Sequence, residues 1–433
     1  MFSLGALVLV VSGCDDGGTT FDAGSPDAEV HLGDAGVLDA GALDAGAPDA
    51  GLPQHSVLET IDLGEHDGSD VLTLTIPEGT YGAHLVAARV DEPSFVGFAR
   101  VTDPSGADVV RDYSVLPGMH QGAAGYGGLA AATLPQWDHP DAPLMAGDYA
   151  VELGAPGARV HVTATLRVGT TPARVLDVHV YVAEGLTLDG TPIDADSALD
   201  HAGLAGRLDS FFATLDSLFG VGRGRIVVHA LDAEHATIAD EDQLARVLAS
   251  RVDTTGEPAP GFHVFLADGV TIYGTTVWGV AAAIPGASTD TLGMSGVALN
   301  VGAGFGAEAD GMTLVHELGH FVGLFHSSEI DGQWHDVLSD TPECTLASGF
   351  GGCPDAHNIM HAVFYGASGG GIGLVTSPHQ RRVFEASPIW RVAEPAERAM
   401  RQIAIGALPP APPDLERRLR RIVPCVAFDG ARN

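Results

Sequence analysis

The chain is organised around residues 313–326, which place His316, Glu317, His320, Gly323 and His326 in the pattern H-E-x-x-H-x-x-G-x-x-H. Residues four apart share a helix face one turn apart, so His316 and His320 can aim their imidazoles at a single cation. Glu317 sits beside them and can reach a water on that cation. On a straight helix His326 would lie about 9 Å further along the axis than His320, at ~1.5 Å per residue. A zinc–nitrogen bond is about 2.0–2.1 Å, so a straight helix cannot deliver the third imidazole. Gly323 removes the difficulty, because glycine tolerates a positive φ, ends the helix and lets the chain turn back. At the chain's own His, Glu and Gly frequencies the pattern arises by chance in roughly one sequence in 5,000 of this length. The bland alternative is an amphipathic core helix whose histidines are satisfied internally.

Several elements must position this stretch. Residues 174–182 and 225–231 read as strands, and 262–267, 276–285 and 295–301 as three more. Apolar residues at helical spacing from Leu199 to Leu218 predict a helix over 194–219, ended by Gly220. A short helix is expected over 240–250, and the motif helix begins near Ala309.

The motif resembles the metzincin clan of zinc peptidases. That resemblance implies an α/β (α+β) catalytic domain over 171–395, with a mixed sheet and a zinc helix. It implies Zn²⁺ held by His316, His320 and His326, and Glu317 as general base for hydrolysis of a protein or peptide substrate. In that clan an edge strand lines the cleft and pairs with extended substrate; residues 278–285 are the candidate here. Further on, Asp340-Thr-Pro, Cys353-Pro354-Asp355, Asn358-Ile-Met360 and Ser377-Pro-His-Gln-Arg-Arg look like the pappalysin branch, which includes ulilysin-like enzymes. Met360 would then be the Met-turn residue, packing beneath the histidines without coordinating. Pappalysins and astacins usually carry a Tyr two residues later, which steadies the oxyanion; here that position is Ala362, with Tyr365 and His361 as substitutes to hand. Asp331, Asp336, Asp340 and Glu343 could build a Ca²⁺ site, as in some pappalysin-like enzymes; the alternative is a solvated acidic loop.

The four cysteines are Cys14, Cys344, Cys353 and Cys425. Cys344 and Cys353 are expected to form a small disulfide loop in an oxidising compartment, and pairing of Cys425 with either stays open. Residues 1–13 form an apolar run ending Val-Ser-Gly before Cys14, similar to the signal peptide and lipobox of a bacterial lipoprotein, although no positive residue precedes it. This implies a lipidated Cys14, a membrane partner and an extracytoplasmic site, in the cell envelope or secreted. An ordinary cleaved signal peptide or a short anchor is the alternative.

Residues 14–54 repeat Asp-Ala-Gly with interspersed prolines, too little apolar surface to offset ordering entropy, and read as a flexible acidic linker. Residues 55–170 alternate in short β-type runs at 71–76, 95–101, 148–153 and 160–168, broken by turns such as Asp103-Pro-Ser-Gly106. This predicts an antiparallel β-sandwich, softly resembling the small modules of the pre-peptidase kind that accompany secreted bacterial peptidases. Residues 396–433 form a tail with a basic amphipathic stretch at 414–423.

A net charge of −35, with 21 Lys and Arg against 56 Asp and Glu, argues against nucleic-acid binding through a basic patch. The competing function is a surface-anchored binding or adhesion lipoprotein whose zinc site is weak or structural. Glu317 is the objection to it, since a purely structural site has no use for that carboxylate.

Overall fold

The computed structural model describes residues 56–91, 96–111, 123–125, 128–136, 143–169, 173–240, 242–248, 261–272, 274–287, 295–329, 335–344, 353–362 and 374–394. Cys14, Cys425, Asp331, Tyr365, the acidic linker and the C-terminal tail lie outside them. No helix among the described residues is long and apolar enough to cross a membrane.

Among the described residues, the first half contains nine strands: β1 (Val57–Asp67), β2 (Val71–Ile76), β3 (Thr80–Arg89), β4 (Val96–Thr102), β5 (Asp108–Arg111), β6 (Ala123–Gly125), β7 (Leu129–Leu134), β8 (Gly147–Leu153) and β9 (Arg159–Val168). They form two antiparallel sheets, ordered β1-β9-β3-β7 and β2-β8-β4-β5, with β6 pairing β4. Strict alternation along β2 sends Leu72, Leu74 and Ile76 inward and the residues between them out. They meet Leu85, Val160, Val162 and Leu166 from the other sheet in one core. The turn at Asp103 closes as the sequence predicts: its Oδ1 accepts from the Ser105 and Ala107 amides at 2.8 and 2.9 Å.

The second half centres on a mixed sheet. Its strands are β10 (Arg174–Ala183), β13 (Val221–Leu231), β15 (Phe262–Ala267), β18 (Gly279–Ala281), β19 (Val297–Asn300) and β20 (Trp390–Val392). Small ladders account for β11 (Thr187–Leu188), β12 (Thr191–Pro192), β14 (Thr237–Ile238), β16 (Gly269–Ile272) and β17 (Thr275–Thr276). The order is β13-β10-β15-β19-β18, with β20 on β10. The first four run parallel; β18 is antiparallel at the edge. Helices α1 (Ala202–Phe219) and α3 (Ala307–Val322) share a core with one face of the sheet through Leu208, Phe211, Leu215, Leu314 and Leu318 against Val178, Val180 and Val264. The other face packs Tyr181, Phe265 and Ala298 under Leu244, Val247 and Leu248 of α2, residues 242–248. Helix α4 (Pro378–Ala386) opens with a capping box between Ser377 and Gln380.

Two elements differ from the sequence reading. The helix expected over 194–219 is split: a 3₁₀ turn occupies Ala195–Asp200, and His201, extended, caps α1 at the Gly203 amide. The strand expected over 276–285 is interrupted: its paired stretches are Thr275–Thr276 and Gly279–Ala281, with Val277 between them donating to Val270 O at 2.9 Å. Among the described residues, the mixed sheet and backing helices otherwise stand where the apolar runs placed them.

The two halves are locked together by buried polar contacts. Arg167 of β9, 2% exposed, donates to the carbonyls of Ser387 and Trp390, each at 2.7 Å through Nη2. Arg382 of α4 donates to Tyr81 O at 2.8 Å.

Candidate metal centre

Helix α3 carries His316, Glu317 and His320 on a wholly buried stretch, and ends at Gly323. Gly323 has φ +112°, a conformation a side chain would strain. The reversal is fixed by Leu324 donating to Gly319 O at 2.8 Å and Gly323 to His320 O at 3.0 Å. It returns the chain so that His326 faces the two helical histidines, as the spacing predicted.

The three imidazoles meet through Nε2. His316 Nε2 lies 3.0 Å from His320 Nε2 and 3.1 Å from His326 Nε2. All three rings are at most 1% exposed. Each Nδ1 faces an oxygen: Ile359 O for His316 and Leu324 O for His320, both at 2.7 Å, and Glu329 Oε1 for His326 at 3.0 Å. A carbonyl only accepts, so Nδ1 of His316 and His320 must carry the proton. Their Nε2 atoms then present lone pairs to one another. Burial drives the His316 imidazole down to about 3, and holds that of His320 well below its usual value. Neither ring can therefore place a proton between the facing nitrogens near neutral pH. Two lone pairs without a proton, met at the same point by His326 Nε2, fit a divalent cation, and zinc bonded to the three nitrogens at about 2.0–2.1 Å would separate them by roughly 3.4 Å. The donor set suits a cation far better than a satisfied core.

Glu317 is 2% exposed, and its Oε2 has no hydrogen-bond partner. Burial pushes its carboxyl up to about 8, against a lowering hydrogen bond from the Ala281 amide. The edge strand β18 passes directly over it: a Cβ on Gly279 would fall 2.8 Å from Glu317 Cγ. The strand proposed to line the cleft thus does abut the carboxylate, though it is shorter than expected.

Met360 is fully buried beneath α3, and a Cβ on Gly319 would fall 2.3 Å from its sulfur. Its carbonyl accepts from Ser327, and the neighbouring Ile359 carbonyl orients His316. Ala362 is buried. His361, offered as a substitute oxyanion donor, instead turns Nε2 to within 3.3 Å of Cys353 Sγ. The sulfurs of Cys344 and Cys353 are paired, with Cα atoms 5.1 Å apart. Of the acidic residues suggested for calcium, Asp331 lies outside the described residues, and the other three form no candidate metal group among those described: Asp336 accepts from Thr341, Asp340 from the His379 amide, and Glu343 pairs with His335. Burial holds the Asp336 carboxyl well above its ordinary range.

Among the described residues, two groups could hold a metal: the three histidines, and Cys344, Cys353, Asp355 and His361. The second group, and Glu329 behind His326, escaped the sequence reading. An acidic residue three positions after the third histidine was the only signal for Glu329.

No family model matches the chain, and no curated protein does either. Among solved structures, the chain overlaps archaemetzincin from Methanopyrus kandleri over 53% of its own length and 96% of that chain, at 15% identity and a TM-score of 0.24. It also overlaps the catalytic unit of an α-1,3-glucanase from Streptomyces thermodiastaticus, over 29% and 28% of the two chains, at 13% identity and a TM-score of 0.17. At such scores neither overlap bears on fold or activity, and the functional argument rests on the site.

Proposed function

We propose that the chain is a zinc-dependent endopeptidase of metzincin type, close to the pappalysin branch. The observation that carries this is the triangle of buried Nε2 atoms, each ring braced at Nδ1, beside a buried carboxylate with an unpartnered oxygen. His316, His320 and His326 would hold the zinc. When bound there, the ion would supply Lewis acidity for a substrate carbonyl and would lower the pKa of water from about 15.7 toward about 7. Glu317 accepts the proton of the attacking water and passes it to the leaving amine. A hydrogen bond from the Ala281 amide keeps the carboxylate oriented for both halves of that transfer. The antiparallel edge strand β18 offers backbone groups to an extended peptide, which favours a peptide substrate. Met360 fills the space under the helix and holds the histidine platform from below. The N-terminal run before Cys14 supports a lipid anchor on an extracytoplasmic enzyme.

Purified protein should cleave denatured casein, and a chelator should stop it. Glu317→Gln should retain zinc while losing about 10²–10⁴-fold in rate, the usual range for a general base. Full cleavage by Glu317→Gln would dismiss the proposed role.

A further inference from the structure

A second constellation lies beside the histidine triangle. Cys344, Cys353, Asp355 and His361 come from the loop after His326 and from the segment around Met360, and their ligand atoms all fall within 4.8 Å of one another. Asp355 Oδ1 lies 2.6 Å from each sulfur. His361 Nε2 lies 3.3 Å from Cys353 Sγ and 3.8 Å from Cys344 Sγ. The Asp355 side chain is fully buried, its Oδ2 has no hydrogen-bond partner, and the His361 side chain is 4% exposed.

A disulfide explains the two sulfurs but not their surroundings. Disulfide sulfurs carry no proton to donate and no charge, so they give a buried carboxylate nothing to bind. The cationic group facing Asp355 is His361 Nε2, 3.8 Å from its Oδ1 and beyond hydrogen-bond reach, while its buried Oδ2 meets no donor. A cation among the four groups would supply the missing charge. Two thiolates, an imidazole nitrogen and a carboxylate oxygen are the mixed soft and borderline set that zinc takes in closed four-coordinate sites.

We infer that Cys344, Cys353, Asp355 and His361 form a second, structural zinc-class site, filled when the two cysteines are thiolates. Cation and disulfide are alternatives for the same pair. Opening the disulfide takes two electrons and two protons, supplied by a dithiol that is itself oxidised to a disulfide. Binding the cation then releases one proton from each thiol. Either closure ties Cys344 to the segment that carries Cys353, Ile359 and Met360. It thereby braces the acceptor of His316 without touching the three histidines.

The test uses the full chain, prepared with a phosphine reductant and loaded with cobalt(II) in place of zinc. The histidine triangle contains no sulfur, so with Cys14 and Cys425 replaced by Ser throughout, a near-ultraviolet thiolate-to-cobalt charge-transfer band reports the second site alone. The band should account for one of the cobalt ions bound per chain, persist in His316→Ala, and vanish in Cys353→Ser. Asp355→Asn should weaken cobalt binding there by more than about tenfold, as loss of a ligand should cost at least what loss of a supporting contact does. Circular dichroism on each variant separates lost binding from lost folding. If Cys353→Ser does not fold, protection of the wild-type thiols from alkylation by added zinc gives the same answer. The inference is overturned if the reduced, folded wild type shows no such band and its thiols alkylate at the same rate with and without zinc. It is equally overturned if the cysteines stay oxidised in folded protein under the reductant.

Discussion

Glu329 accepts from Nδ1 of His326 at 3.0 Å, and so fixes the one imidazole that the helix does not carry. His316 and His320 are oriented by backbone carbonyls, which no substitution removes. His326 depends on a side chain. Glu329→Ala should therefore lower zinc affinity by about 10–100-fold, the usual cost of a lost supporting contact. Glu329→Gln, which keeps an acceptor, should lose less. Competition with a calibrated chelator, on protein with its cysteines oxidised, measures both. Equal affinity in Glu329→Ala and wild type would remove Glu329 from the account.

Gly319 and Met360 form the second relationship under strain of space. In a helix interior Gly→Ala is ordinarily worth up to about 1 kcal/mol of added stability. Here the new Cβ would fall 2.3 Å from Met360 Sδ and 3.7 Å from Leu324 Cδ1. Overpacking of this kind typically costs about 1–3 kcal/mol, so Gly319→Ala should be net destabilising. Met360→Ala in the same chain should recover part of the loss, giving a coupling above about 0.5 kcal/mol in a double-mutant cycle by urea unfolding. Additivity of the two changes would show that the sulfur does not pack there.

Helix α3 is tied to α1 by Arg207, which is 1% exposed and donates to Asp310 at 2.7 Å and to Asp189 at 2.8 Å. Burial raises the Asp310 carboxyl to about 6 even with Arg207 beside it. Arg207→Met leaves that carboxylate unpaired, which should cost about 3–5 kcal/mol at pH 8. A raised carboxyl penalises the folded state as pH climbs through its folded pKa, and loses the penalty once protonated. The deficit of Arg207→Met should accordingly shrink between pH 8 and pH 5. A pH-independent deficit would mean that Asp310 does not titrate in this range.

His84 on β3 predicts an acid limb. It is 3% exposed, faces Thr133 Oγ1 at 3.1 Å, and burial lowers it to about 4. In the unfolded chain it should titrate near 6.5. The folded state thus holds its full advantage above about pH 6.5 and loses it as pH falls toward 4, by up to about 3 kcal/mol. Urea unfolding across that window should show a shallower acid loss for His84→Asn than for wild type. Parallel curves would exclude His84 as a source of the acid dependence.

What the sequence disclosed follows from what is local. The histidine triangle was readable because two ligands obey the helical repeat and a glycine stands where the third must turn back. The alternating β2, β8 and β9 were readable because one face is dry and the other wet. Strands β3 and β7 were not, since the Ala-rich runs 83–88 and 129–134 are buried on both faces. One face meets the sandwich core; on the other, Val86, Leu129 and Ala131 pack with Ala287 beyond the edge strand. That coverage erases the period-two pattern. Asp355 and His361 escaped for a related reason: their meeting with Cys344 is set by tertiary folding, and no spacing rule joins a carboxylate and an imidazole across that loop.

The most direct test is X-ray absorption at the zinc edge on protein whose cysteines are oxidised, so that only the histidine triangle can load. The account predicts one zinc per chain, with only nitrogen and oxygen neighbours at about 2.0–2.1 Å, and loss of that zinc in His326→Ala. Protein that takes up no zinc, or binds it unchanged in His326→Ala, would contradict it.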